Sequence, residues 1–122
     1  MQTNFTLAQL ADPETARSEH ILRKCVHCGF CTATCPTFVL LGDERDSPRG
    51  RIYFIKAMLE ADRAPTAQEV RHVDRCLSCL SCMTTCPSGV NYCTWSIMAA
   101  TTSSGDTRAR CPIGCCAACS RC

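Results

Sequence analysis

Eight cysteines of this 122-residue chain fall into two groups with identical spacing. Each group reads C-x2-C-x2-C-x3-C-P and has a threonine directly before its fourth cysteine. The groups span residues 25–36 and 76–87. A repeat this close indicates an internal duplication rather than a consequence of cysteine-rich composition. The members are Cys25, Cys28, Cys31 and Cys35 with Pro36, and Cys76, Cys79, Cys82 and Cys86 with Pro87.

The spacing suits a [4Fe–4S] cubane, which offers four iron corners to thiolate ligands. A short C-x2-C-x2-C loop reaches three corners, while its backbone N–H groups point at the sulfides. In proteins with two cubanes, the fourth cysteine of each motif ligates the other motif's cluster, and the proline turns the chain away. We therefore predict two [4Fe–4S] clusters with crossed ligands: Cys25, Cys28, Cys31 and Cys86 on cluster 1, and Cys76, Cys79, Cys82 and Cys35 on cluster 2.

Two other uses of these cysteines stay open. Zinc takes four ligands in tetrahedral geometry, usually from two C-x2-C pairs, and would leave the third evenly spaced cysteine of each group without a metal. Disulfides need an oxidising compartment, whereas the first ten residues lack the basic and apolar regions of an export signal. Iron–sulfur ligation is the interpretation that uses all eight residues.

The remaining composition favours a fold stabilised by metal. Leu, Ile, Val and Phe together number only 22, which is a thin core for 122 residues.

The net charge of +2 and the lack of a lysine or arginine run predict no nucleic-acid partner. No apolar run approaches the roughly 18 residues of a membrane span. The sequence therefore predicts no transmembrane segment and a cytoplasmic location.

The segments that position the two motifs read as helices. Residues 12–14 are Asp-Pro-Glu, an N-cap, an N1 proline and a first-turn acid that open a helix toward Cys25. Ser47-Pro48 is a second N-cap and N1 proline, and it precedes apolar residues 52–59, which we expect in the core. Residues 66–69 have capping-box form and open a helix toward Cys76. With little β signal, the sequence predicts an all-α fold, an alpha-helical ferredoxin module with two [4Fe–4S] cluster loops.

Other side chains allow expectations about the surroundings of the clusters. His27 either donates to a cluster sulfide or is a solvated loop residue, and His20 and His72 are expected on the surface. Arg49 and Arg51 either compensate cluster charge or dock a partner, or they form a solvated helix start. Six apolar residues are expected to shield the clusters from water: Val26, Phe30, Phe38, Leu77, Leu80 and Met83.

Four runs of sequence carry a family resemblance: LRKCVHCGFCTATCPTF at 22–38, LLGDE at 40–44, SPRGRIY at 47–53 and DRCLSCLSCMTTCPSGV at 74–90. Together they resemble the N-terminal part of glycolate oxidase iron–sulfur subunits, over residues 1 to about 92. Subunits of succinate dehydrogenase, anaerobic glycerol-3-phosphate dehydrogenase and heterodisulfide reductase share the doubled cysteine motif more than the linker. The resemblance to the glycolate oxidase subunit is specific because it includes the segments LLGDE and SPRGRIY between the two cysteine motifs.

The resemblance implies a non-catalytic electron-transfer subunit of an oxidoreductase complex whose FAD-binding catalytic subunits oxidise glycolate to glyoxylate. No acid/base pair or nucleophile marks the chain as an enzyme, so we assign no catalytic residue. A flavin releases two electrons and a cubane passes one at a time, so two clusters would conduct single electrons toward an unidentified acceptor. An electron-transfer subunit for lactate, glycerol-3-phosphate or a heterodisulfide stays open, as do a structural zinc-binding interaction module and peripheral association with the inner face of a membrane.

Residues 93–122 differ from the rest of the chain. They hold six cysteines but no Leu, Val, Phe, Glu or Lys. Read from the third base of each codon, Trp95-Ser96 with a TCN serine codon gives valine and Met98-Ala99 gives glycine, and this frame resembles the family's continuation. We interpret residues 93–122 as an unstructured tail produced by a frameshift, and residues 1–92 as one 4Fe-4S ferredoxin-type domain. The family's further cysteine-rich domains are then missing from this truncated chain.

Overall fold

The computed structural model describes residues 1–93, and these form short helices joined by loops. Within this range no β-strand occurs, so the predicted all-α fold is confirmed. Two 3-10 helices, Phe30–Thr32 and Glu44–Asp46, lie between α-helices. The α-helices are α1 (Leu7–Leu10), α2 (Pro13–Lys24), α3 (Pro36–Leu41), α4 (Pro48–Ala61), α5 (Ala67–Asp74) and α6 (Ser81–Thr84).

The three predicted helix starts are confirmed. The Asp12 side chain accepts a hydrogen bond from the Thr15 N–H at the start of α2, and the Ser47 hydroxyl accepts one from the Gly50 N–H at the start of α4. Thr66 and Glu69 form both bonds of a capping box at the start of α5. Each cap stabilises its helix by about 1 kcal/mol. Because α2 ends directly before Cys25 and only Arg75 separates α5 from Cys76, these caps fix where the cluster loops begin.

The apolar core is small and lies between α2, α4 and residues 90–92. Ile21 and Leu22 of α2 pack against three buried residues of α4, which confirms that this helix contributes to the core. Burying one such side chain stabilises the fold by roughly 1.5–3 kcal/mol. Because the core has few of these side chains, the packing energy of the fold comes from a small number of residues. The core members are Ile21, Leu22, Cys25, Ile52, Ile55, Met58, Val90 and Tyr92.

A buried polar network lies between the second 3-10 helix, α4 and α5. The carboxylate of Asp46 is fully buried, 3.0 Å from His72 Nδ1 and 3.5 Å from Arg51 Nη2, and it accepts a hydrogen bond from Arg75 at 3.0 Å. Burial of the carboxyl opposes its ionisation, but the bonds to His72 and Arg75 hold the pKa of Asp46 below its ordinary value. The network therefore balances one buried carboxylate with two guanidinium groups.

Two sequence expectations are wrong within this network. His72 was expected on the surface but is 4% exposed, because its ring bonds Asp46 and stacks on Phe54 with centroids 5.9 Å apart. The solvated alternative for Arg51 is also wrong, since the residue is 1% exposed and donates to the His72 carbonyl at 2.7 Å. His20 is exposed, as predicted.

Gly50 allows α4 to approach the second 3-10 helix closely. A Cβ atom at this position would lie 2.1 Å from the carbonyl oxygen of Glu44. That oxygen accepts a hydrogen bond from the Ser47 N–H, which fixes its position. The contact therefore requires glycine at position 50.

No helix among residues 1–93 has the length and apolar character that a membrane crossing requires. The predicted tail lies outside the described residues except for Cys93, which is buried. The boundary between the 1–92 domain and this tail stays a prediction.

Candidate metal centre

Two cavities lie beside the cysteine motifs. Three cysteines of the first motif line the first cavity together with the fourth cysteine of the second motif. The second cavity has the converse arrangement, and Cys82 reaches the wall of both. All eight predicted ligands line these cavities, and their division into two cluster sets stays a prediction. Cys25, Cys28, Cys31 and Cys86 lie at the first cavity, Cys76, Cys79 and Cys35 at the second, and Cys82 at both.

The two loops repeat the same backbone geometry. His27 and Ser78, the second residues after the first cysteine of each motif, have φ of 54° and 51°. Gly29 and Leu80, two positions further on, have φ of 84° and 59°. Left-handed conformations cost non-glycine residues roughly 1–2 kcal/mol each. Such strain clusters at ligand-holding sites, and alternating handedness turns successive N–H groups toward one side of a loop.

The two motifs also contact one another at equivalent positions. The hydroxyls of Thr34 and Thr85, each directly before the fourth cysteine of its motif, lie 3.1 Å apart. Thr34 donates a further bond to the carbonyl of Ser81 at 3.3 Å. The sequence shows the repeated threonine but not this contact. The pairing holds the two loops against each other, so each fourth cysteine is presented to the opposite cavity.

The ionisation of the thiols depends on their burial. Burial raises the pKa of Cys25 and Cys31, and raises that of Cys82 to about 12. Hydrogen bonds from the side chain and backbone of Ser81 lower the pKa of Cys79, which is exposed. Metal binding must therefore displace protons from the buried thiols, and iron supplies the positive charge that the thiolates then need.

The donor chemistry of both cavities fits an iron–sulfur cluster. Each cavity is lined by at least four thiols, the soft ligands that such clusters take. Within each set one cysteine is exposed, Cys28 in the first and Cys79 in the second. A cluster held in either cavity would thus lie close to the surface on one side, where electrons enter or leave.

Two polar contacts to the sulfur ligands were not predicted from the sequence alone. The Thr37 hydroxyl, which donates to the Asp46 carbonyl at 3.0 Å, lies 3.2 Å from Cys35 Sγ, and the Val90 N–H donates to Cys86 Sγ at 3.5 Å. Hydrogen bonds to cluster sulfurs tune reduction potential. A signal for the first was present, since Thr37 and Ser88 both stand two residues after the fourth cysteine of a motif.

The expectation of apolar shielding is wrong for Phe30, which is 65% exposed and lines neither cavity. Val26 and Leu77 are also exposed, but Val26 lines the first cavity and Leu77 and Leu80 line the second. Phe38, Leu80 and Met83 are half-buried. On the core side the first cavity is closed by Ile52 and Val90, and both cavities by Tyr92.

The remaining candidates near the first cavity have specific partners. His27 is half-buried, and its Nε2 atom lies 2.9 Å from the sulfur of Met1, so neither sequence expectation describes it fully. Arg49 bonds Glu44 and donates to the His27 carbonyl at 3.4 Å. It lines the first cavity, as Arg51 lines the second.

The profile of the 4Fe-4S dicluster domain family matches residues 24–90. The glycolate oxidase iron-sulfur subunit of Escherichia coli (strain K12) is 56% identical over 92 residues, 75% of this chain and 22% of the relative. The probable glycolate oxidase iron-sulfur subunit of Bacillus subtilis (strain 168) is 43% identical over 94 residues, 75% of this chain and 21% of the relative.

A ferredoxin:CoB-CoM heterodisulfide reductase subunit of Methanosarcina acetivorans is 35% identical over 83 residues, 67% of this chain and 30% of the relative. The chain thus spans less than a third of the length of these curated relatives. No solved structure shows a significant match.

Proposed function

Because this chain belongs to the family of 4Fe-4S dicluster domains, we propose that it is the electron-transfer part of a glycolate oxidase iron–sulfur subunit. In this proposal it holds two [4Fe–4S] clusters and passes single electrons from FAD toward an acceptor. The observation that supports the proposal is the crossed lining of the two cavities, each by three cysteines of one motif and the fourth cysteine of the other, with Cys82 at the wall of both. Zinc would leave the third evenly spaced cysteine of each motif without a metal, and disulfides do not require the repeated spacing of the two motifs.

Each set of four cysteines would hold one cluster. Cys25, Cys28, Cys31 and Cys86 would hold the first cluster, and Cys76, Cys79, Cys82 and Cys35 the second. A bound cluster would accept one electron at a time. A reduced flavin, which releases two electrons, would therefore pass them on in two steps. The chain's own groups orient the thiolates, donate hydrogen bonds to them and exclude water on the core side. In this proposal no side chain among residues 1–93 forms or breaks a substrate bond.

The substrate and partners of the proposal come from the relatives. Two of them are named glycolate oxidase iron-sulfur subunits, at 56% and 43% identity. We propose FAD-binding catalytic subunits as partners, and the cytoplasm or the inner face of a membrane as the location. The 35% identity to a heterodisulfide reductase subunit supports the second candidate, an electron-transfer subunit for another substrate.

Anaerobic reconstitution of the full chain with iron and sulfide tests the cluster proposal. We expect a brown protein with about eight irons, bleached by dithionite and giving the EPR signal of a reduced cubane. The matched control is Cys93→Ser, because Cys93 is buried but lines neither cavity. A colourless protein that binds zinc would contradict the proposal.

The substrate is tested by mixing the reconstituted chain with FAD-dependent 2-hydroxy-acid dehydrogenase subunits from the same source. Glycolate should bleach the clusters only when the flavin subunits are present. Bleaching by lactate or glycerol-3-phosphate, but not by glycolate, would contradict the assigned substrate and favour the second candidate.

A further inference from the structure

Helix α4 begins with two arginines that lie beside different cavities. The Arg51 side chain is 1% exposed, and its Nη1 atom is 3.9 Å from the Sγ atom of Cys35 at the second cavity. The Arg49 side chain is 34% exposed, pairs with Glu44 and lines the first cavity. The buried guanidinium of Arg51 therefore lies at the second cavity, and the partly solvated guanidinium of Arg49 lies at the first.

Two groups accept hydrogen bonds from the Arg51 guanidinium and hold it in place. Its Nε donates to the His72 carbonyl at 2.7 Å, and both Nη atoms donate to the Thr37 hydroxyl at 3.1 Å. The same hydroxyl is 3.2 Å from Cys35 Sγ. Thr37 thus braces the guanidinium against the sulfur, and the positive charge cannot move into solvent without losing these bonds.

The charge of Arg51 is only partly offset by its carboxylate neighbour. Asp46 lies 3.5 Å away but also accepts a bond from Arg75 at 3.0 Å. One carboxylate is therefore shared between two guanidinium groups. By contrast, Cys86, which holds the equivalent position at the first cavity, accepts a bond from the neutral N–H of Val90.

We propose that Arg51, braced by Thr37, raises the reduction potential of the cluster at the second cavity selectively. This inference rests on the proposed function, since it requires a bound cluster. One-electron reduction adds a negative charge, and no bond forms or breaks. A buried cation that donates to a ligand sulfur stabilises the reduced state more than the oxidised state, because the surrounding dielectric is low. Arg51 is a positioning residue for charge and not a ligand.

The test compares Arg51→Gln with Arg49→Gln in the reconstituted full chain by EPR-monitored redox titration. We expect one of the two midpoints to fall in the Arg51 variant. At the wild-type midpoint, the ratio of reduced to oxidised cluster should drop about tenfold, which corresponds to roughly 59 mV for one electron. The other midpoint should stay constant, and Arg49→Gln should leave the affected midpoint where it is. Arg51→Lys, which keeps the charge, should restore part of the shift.

A Cys35→Ser variant identifies which EPR signal belongs to the second cavity. If Arg51→Gln fails to bind that cluster, Thr37→Val decides, because this nearly isosteric change removes the brace and should lower the same midpoint. Unmoved midpoints in Thr37→Val, or equal shifts of both clusters in Arg51→Gln, would overturn the inference. A wild-type chain that binds no cluster would instead contradict the proposed function, so the two failures are distinguishable.

Discussion

The Nη1 atom of Arg51 lies 3.9 Å from the Sγ atom of Cys35, inside the protein rather than at its surface. This contact joins the first turn of α4 to the fourth cysteine of the first motif. Pro48, at the start of the same helix, lines both cavities. The start of α4 is therefore a shared wall, and changes there should affect the metal centre as well as the fold.

Asp46→Asn is expected to destabilise the protein by about 3–5 kcal/mol, because it leaves the guanidinium groups of Arg51 and Arg75 without their buried counter-charge. Chemical denaturation under anaerobic conditions, followed by circular dichroism, measures the loss. Asp43→Asn is the matched control. Asp43 pairs with the half-exposed Arg45 and caps the second 3-10 helix, and asparagine keeps a capping oxygen, so this change should cost much less than Asp46→Asn. Equal losses in both variants would contradict the role of the network.

Cys86→Ser is expected to remove or weaken the cluster held by the first motif, although Cys86 belongs to the second. Cys35→Ser should affect the cluster of the second motif in the same crossed manner. Iron analysis and the EPR spectrum of each variant measure this, with Cys93→Ser as the unaffected control. If each serine variant disturbed the cluster of its own motif instead, the crossed assignment would be wrong.

Gly50→Ala is expected to cost at least about 2 kcal/mol, because the new methyl group would overlap the fixed carbonyl of Glu44. Gly42→Asn is the comparison. Gly42 has φ of 66° and open space around its Cα, and asparagine adopts this conformation readily, so the change should cost less than about 1 kcal/mol. Thermal unfolding of the two variants gives the order. A Gly50→Ala variant as stable as the wild type would show that the backbones separate freely.

In the iron-free protein, iodoacetamide is expected to modify Cys79 before Cys82. Hydrogen bonds lower the pKa of Cys79, whereas burial raises that of Cys82 to about 12. At pH 8 a thiol with pKa near 12 is ionised to roughly one part in ten thousand, and its rate should still rise tenfold per pH unit at pH 9. Mass spectrometry of tryptic peptides over time follows both sites. Equal rates at pH 8 would contradict the different surroundings of the two thiols.

Helix starts could be predicted because their signals are local. Asp12, Ser47 and Thr66 cap helices with bonds that reach only three residues along the chain. Such caps need no knowledge of which distant segments meet. The crossed ligand sets stay a prediction, which rests on the spacing of the cysteines and on the geometry of a cubane.

The misplaced residues depend on contacts between distant segments. His72 is buried because Asp46, from another helix, offers its ring a partner, and the pattern of α5 alone carries no sign of it. Likewise, Phe30 is predicted as a shielding residue from its position in the loop, but it lines neither cavity. Ile52 and Tyr92 line the first cavity, and only the packing of α4 and residues 90–92 reveals this.

The crossed lining of the cavities makes any cluster bound there a covalent cross-link of the chain. A cluster attached to Cys25 and Cys86 closes a loop that contains α3, α4, α5 and α6. Closing so long a loop lowers the entropy of the unfolded chain much as a disulfide does. Because each cluster spans both motifs, losing one would leave the other as the remaining link. Oxidative damage to the metal centre should then loosen the chain in two distinguishable stages.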